Sequence, residues 1–510
     1  MALITEMHYG KDNAKFPDNG TRFRKEQIRL SEGGITVFVS MLLLVMIILI
    51  GTAVTSLQTA VGRCMILSGT QQGLFSVFAQ YDRDLYRKYG LLFVDGGYGT
   101  SEFQPGALLE EVCTEAGYSL HPESSGGRSP VTIREAEGGR QLKGMVLATD
   151  LNGEAVARQV CEIMEAETGS GAGIGEALQL AASYSLEQLL ERKREEITVD
   201  TICALFQDSG IETLDEEALN DIVPIESNPA DYVQAYKKNG ILWTVLGNEG
   251  KLSQASLNGI VPVSDRTCSY GIGMEPEGWQ KGNERLYLQK YLMEHYPCYT
   301  GGPGESGLQY QLEYAICGKY SDMENLRLVL HRLLAIREAS NLMYLLSDSE
   351  KQAEVEELAV GISVFLLSPE LVPEISAAVL LAWAWGESIL DLQTLLLDNG
   401  EIPLLKNADD WQLPLYALID LNGIGRSCRH SADTGMNYRS YLGMLLIEKG
   451  TRQLTEAVMD LTEINMRTTE GRTEFRLDAC VDALAMAWTL DAGKKRFTVE
   501  QSYGYSFRNR

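Results

Sequence analysis

GGITVFVSMLLLVMIILIGTAV, Gly33–Val54, decides the architecture of this 510-residue chain. Between Ile35 and Val54 there is no charge, and Thr36, Ser40 and Thr52 are the only polar side chains. A helix rises about 1.5 Å per residue, so about 20 residues cross a hydrocarbon core of roughly 30 Å. The stretch reads as a transmembrane helix over 33–56. The polar, aperiodic segment before it, 1–32, reads as a cytoplasmic tail. A cleaved signal peptide is the rival reading, but it predicts a shorter apolar run closer to Met1 and a small-x-small cleavage site.

Orientation follows from the basic residues. Lys15, Arg22, Arg24, Lys25 and Arg29 precede the run. Only Arg63 follows within about 20 residues, so the positive-inside rule places the N-terminus in the cytoplasm and the large C-terminal part outside. The formal net charge of −26 disfavours nucleic acid and anionic lipid as general partners. With 45% hydrophobic residues the chain is long enough for one or more real cores. Nine cysteines form no CxxC pair, and most are expected to be buried thiols.

The helical pattern continues past the membrane. Leu57, Val61, Cys64, Leu67, Leu74, Phe78, Leu85 and Tyr89 recur at helical spacing, and no proline occurs from Gly33 to Phe103. The spacing predicts an amphipathic extension over 57–88, continuous with the membrane helix and about 80 Å long in all. Its stripe, with Gly62, Gly69 and Gly73 nearby, is expected to serve both head packing and helix–helix assembly. The remainder, 89–510, reads as an extracytoplasmic α+β domain. Candidate strands are YGLLFVDG, VTIREA and LKGMVLATD, and helices are predicted from Pro105, from Glu154 and from Gly175 towards Glu195. Residues 200–305 are mixed. A helical core follows over about 308–465, opened by the capping-box pattern Ser321–Glu324. ISAAVLLAWAW, Ile375–Trp385, is too short for a second span and reads as a buried core helix. Antiparallel strands over about 473–508 close the chain. A change of parity places a bulge near Asp482, and Asp491-Ala492-Gly493 makes a hairpin turn.

Chemistry is thinly represented. His8, His121, His295, His331 and His430 have no metal-ligand spacing. GSGAGIG, Gly169–Gly175, lacks the preceding strand that a phosphate loop needs and reads as a hinge between helices. Ser306 lacks nucleophile-elbow spacing. Glu387 and Asp391, one turn apart, suit either an acid pair or carboxylates bonded to core partners. No catalytic, cofactor-binding or metal residue is assigned, and no enzymatic activity is expected.

Six segments together resemble an uncharacterised membrane-protein family of Gram-positive bacteria. They are SEGGITVFVSMLLLVMIILIGTAV, AQYDRDLYRKYGLLFVD, NPADYVQAYKKNGILW, LQYQLEYAICGKYSDMENLRLVLHRLLAIREASNLMYLLSD, AWAWGESILDLQTLLLDNGEIPLLK and NMRTTEGRTEFRLDACVDALAMAW. Genes of that family lie beside tight-adherence (Tad) pilus genes, and its N-terminus is similar to the TadE/TadG-like minor pilin-like subunits. The resemblance implies a single-pass structural protein, a component or assembly factor of a Tad-type pilus, with membrane lipid and other pilus-machinery subunits as partners. It implies no cofactor and no catalytic residues. Prepilins carry glutamate five residues past the processing glycine. Val39 or Phe38 stands there, so cleavage after Gly34 or Gly33 is not expected. The alternatives are an envelope enzyme acting on wall or polysaccharide, and a receptor-like binding module.

Overall fold

The structure, a computed structural model, describes residues 32–121, 131–167, 240–247, 252–257, 259–274, 282–302, 307–419, 427–432 and 434–505. The predicted cytoplasmic tail up to residue 31, the predicted hinge Gly169–Gly175, the predicted helix towards Glu195, His8, Cys203 and Ser306 lie outside the described residues. The fold is α+β.

Helix α1, Glu32–Phe78, is one uninterrupted rod, about 70 Å long at the standard rise. It ends ten residues short of the predicted limit. The chain turns through Ala79–Tyr81, and α2, Arg83–Tyr89, starts afresh. Asp82 causes the break: its carboxylate accepts from the amides of Asp84 and Leu85, both at 3.0 Å, as an N-cap. Packing explains why a break is needed. Leu74 and Phe78 belong to one hydrophobic cluster, Leu85 and Tyr89 to another, and a straight helix cannot point its stripe at both.

The small sheet is antiparallel around β3, Cys480–Ala492. β2, Ile133–Leu147, pairs with it along its length, merging two predicted strands. β4, Lys495–Gly504, pairs from Ala492↔Lys495 to Ala483↔Gly504, and β1, Val94–Asp95, pairs at Cys480 and Val481. Opposite β2 the register steps from Leu147↔Val481 to Val146↔Ala483, which leaves Asp482 as the bulged residue. The predicted bulge is therefore present. The strand does not begin near 475 as expected. Leu477–Ala479 forms a 3-10 turn, held where the Leu477 amide donates to Glu463 at 2.8 Å.

The C-terminal half of α1 forms the wall behind this sheet, together with α3, Pro105–Leu120. Ile66, Leu74 and Phe78 pack with Val112, Ala116, Leu147, Trp488 and Val499. Tyr503 and Tyr505 meet the Phe78 ring edge-on, at 5.2 and 5.3 Å. The larger core gathers the helices Glu284–His295, Gln311–Cys317, Asp322–Ser347, Tyr438–Ile447 and Thr451–Arg467. A third cluster, around Trp383 and Trp411, joins Asp322–Ser347 to Ser349–Phe365 and Val372–Leu396. The predicted capping box at Ser321 is absent, because Asp322 is itself buried and accepts from Ser253 Oγ and the amides of Gln309 and Tyr310.

Candidate functional site

The most exposed apolar surface is the first half of α1. From Ile35 to Leu57 every residue is exposed. The stretch has the length and apolarity to cross a membrane, and none of its most apolar window is buried in the fold. Beyond it the character of the helix changes within two turns. Gly62 and Ile66 are buried against the head, while Arg63, Ser68, Gln71 and Gln72 face solvent. The stripe through Leu74, Phe78 and Leu85 is covered by the head itself and is not left open for a neighbour.

The acid pair singled out in the sequence is a buried ion cluster. Glu387 and Asp391 project from one helix, fully buried, onto Lys406 and Arg337. Arg337 Nε lies 2.9 Å from Asp391 Oδ2, and Lys406 Nζ bonds both carboxylates. The remaining lone pairs are met by Asn341 Nδ2 at 2.9 Å and by the amides of Gln412 and Leu413 at 2.9 and 2.7 Å. Burial pushes the Asp391 carboxyl up, but the two cations outweigh it and hold it below its ordinary value. Burial prevails at Glu387, which is raised. A closed, mutually neutralised cluster ties helices together and offers no face to a substrate.

A second cluster clips the loop at 263–269 to the helix Thr451–Arg467 and to the turn Leu477–Ala479. Arg266 reaches Glu463 at 2.5 Å and Asp478 at 2.6 Å, and Asp460 accepts from both the amide and hydroxyl of Ser264. Arg266, Arg337 and Lys406 were not singled out in the sequence. Single basic residues inside apolar helical stretches or loops are the available signal, and they carry no spacing rule.

An open cavity of 490 Å³ lies where α1 meets α2, lined by Val77, Asp82, Arg83, Asp95, Tyr98 and Arg472 among others. Arg472 bonds Asp82 and lies 3.3 Å from Asp84. Burial pushes the Asp95 carboxyl up. The Tyr98 hydroxyl donates to Glu111 at 2.5 Å.

Among the described residues no group of three or more His, Cys, Asp or Glu is placed to hold a metal. His331 and His430 are exposed, and His295 stacks on Tyr291 at 4.0 Å. Cys113, Cys161, Cys298 and Cys480 are buried, Cys64 is exposed, and no disulfide joins any two of the described cysteines. The stretch Ile375–Trp385, expected to be buried, is mostly half-buried: only Trp383 and Ala384 of it are buried, and the buried run of this helix is Gly386–Leu396, which packs within the head.

The molecule is thus an α+β protein with a long apolar N-terminal helix built into its head. A family described as being of unknown function, DUF5702, matches residues 220–492, more than half of the chain. The chain belongs to that family. No curated protein and no solved structure matches it.

Proposed function

We propose that this protein is a single-pass, membrane-anchored structural component or assembly factor of a Tad-type pilus, with its head outside the cell. One observation carries the reading: the apolar half and the packed half belong to one unbroken helix. Such a helix couples the head rigidly to the bilayer, as a pilin-like stalk requires. The closed ion cluster at Glu387 and Asp391 supports a structural role over an enzymatic one. The charged cavity at Asp82 and Arg472 favours a second reading, a receptor-like binding module.

Crosslinking of the intact membrane protein, with partners identified by mass spectrometry, tests the assembly role. Pilus-machinery subunits are expected among the products, and their absence from a strain that makes pili overturns it. Topology is tested separately with Lys15→Cys and Gly450→Cys in a background without native cysteines. An impermeant thiol reagent on intact cells should label the second and spare the first, and the reverse pattern refutes the orientation.

A further inference from the structure

The chain is strongly acidic, yet the turn between β3 and β4 reads Gly493-Lys494-Lys495-Arg496. The fold puts this turn at one end of the head. A Cβ built on Gly62 lies 2.8 Å from the Ala492 Cβ, whereas the other end of β4 reaches Phe75 and Phe78 through Tyr503. β4 therefore runs in the same direction as α1, and its turn lies at or before the level of Gly62. Gly62 follows Val54, the end of the apolar run, by eight residues, or about 12 Å of helix. The headgroup layer occupies roughly 5–8 Å beyond the hydrocarbon on each side. A lysine stem reaches about 6 Å, so the gap is within its span.

Lys494, Lys495 and Arg496 are exposed, as are Arg63 on α1 and Arg134 at the start of β2. Among the described residues, the acids at this end are already engaged or outnumbered. Asp491 lies 2.9 Å from Arg496, and Glu135 pairs with Arg140 at 2.5 Å, which leaves Glu137. Attraction to an anionic surface decays over a Debye length of about 8 Å, so cations must sit at the membrane-proximal end to feel it.

We infer that the β3–β4 turn is a membrane-docking surface, in which Lys494, Lys495 and Arg496, with Arg63 and Arg134 beside them, rest on anionic lipid headgroups. The inference rests on the membrane-anchor reading of α1. It gives the head a second attachment and so a fixed tilt. The net acidity of the rest of the chain turns the other faces of the head away from the same surface.

The test uses the full chain in nanodiscs of phosphatidylcholine alone and of phosphatidylcholine with phosphatidylglycerol. Amide hydrogen exchange is followed over residues 491–497. Exchange should slow about tenfold in the anionic discs only, revert in high salt, and lose the difference in Lys494→Glu/Lys495→Glu. Equal exchange in both discs, or a difference that survives the double variant, overturns the inference. Flotation with neutral vesicles separates the two readings. A chain that floats without turn protection retains its anchor and loses the docking surface, and a chain that does not float loses both.

Discussion

Gly73 of α1 and Ala116 of α3 meet with no room between them. A Cβ built on Gly73 lies 2.7 Å from the Ala116 Cβ and 2.5 Å from the Val112 carbonyl oxygen. The oxygen belongs to the backbone of α3, so it cannot swing aside as a side chain would. Gly69 stands likewise against Leu120. Gly69 and Gly73 are thus occupied in holding α3, and Gly62 in meeting Ala492 of β3. Of the two roles expected for this stripe, head packing is the one these glycines fill, because each of Gly62, Gly69 and Gly73 faces the head.

Gly73→Ala should destabilise the full chain in detergent. Better helix propensity contributes up to about 1 kcal/mol, but overpacking against fixed backbone costs about 1–3 kcal/mol. The net effect is a lower denaturation midpoint, and Gly73→Leu should fail to fold. A midpoint equal to or above wild type for Gly73→Ala would show that α3 yields.

Asp82 both caps α2 and pairs with Arg472. Asp82→Ala should cost about 1–2 kcal/mol through the cap. Asp82→Asn retains a capping oxygen and gives up the ion pair. Since Arg472 is partly exposed, that loss is small. Denaturant titration of both variants checks the order, and an equal loss in the two would place the energy in the pair.

The Glu387–Asp391–Lys406–Arg337 cluster should be intolerant of single neutralisation. Lys406→Met leaves two buried carboxylates facing one guanidinium and should cost about 3–5 kcal/mol. Adding Glu387→Gln restores the charge balance and should recover part of that loss. A double variant no more stable than Lys406→Met would show that shape, not charge, limits the site.

Stability should fall as the medium moves from mildly acidic to neutral. Burial pushes Glu313 up to about 7 and Asp460 up to about 6, from ordinary values of 4.5 and 3.8. The folded state therefore holds these protons more tightly than the unfolded chain. Their contribution is complete below the unfolded values and is lost as pH rises through 6 and 7. For Glu313 the loss is on the order of 3 kcal/mol. Melting of wild type and Glu313→Gln between acidic and neutral pH reads it out. The variant should show the flatter profile, and parallel profiles would refute the assignment.

The sequence alone determined what local pattern can determine. An uncharged run of membrane length, helical spacing from Leu57 onward, alternation in β4 and the parity change at Asp482 are all written in neighbouring residues. So was the α+β class, since its helical and strand periods occupy separate stretches. Tertiary structure decided where those elements turn and what they touch. Asp82 is a local capping signal for α2, but that α1 must stop before it was decided by two distant cores claiming Phe78 and Leu85. Glu387 and Asp391 were visible as a pair one turn apart. Their meaning came from Lys406 and Arg337, which only the packing of separate helices brings to them. Likewise three consecutive basic residues in a turn are unremarkable until Ala492 is seen against Gly62. Local periodicity arises from backbone geometry and is readable along the chain, whereas the partner of a buried charge or a glycine is set by long-range packing.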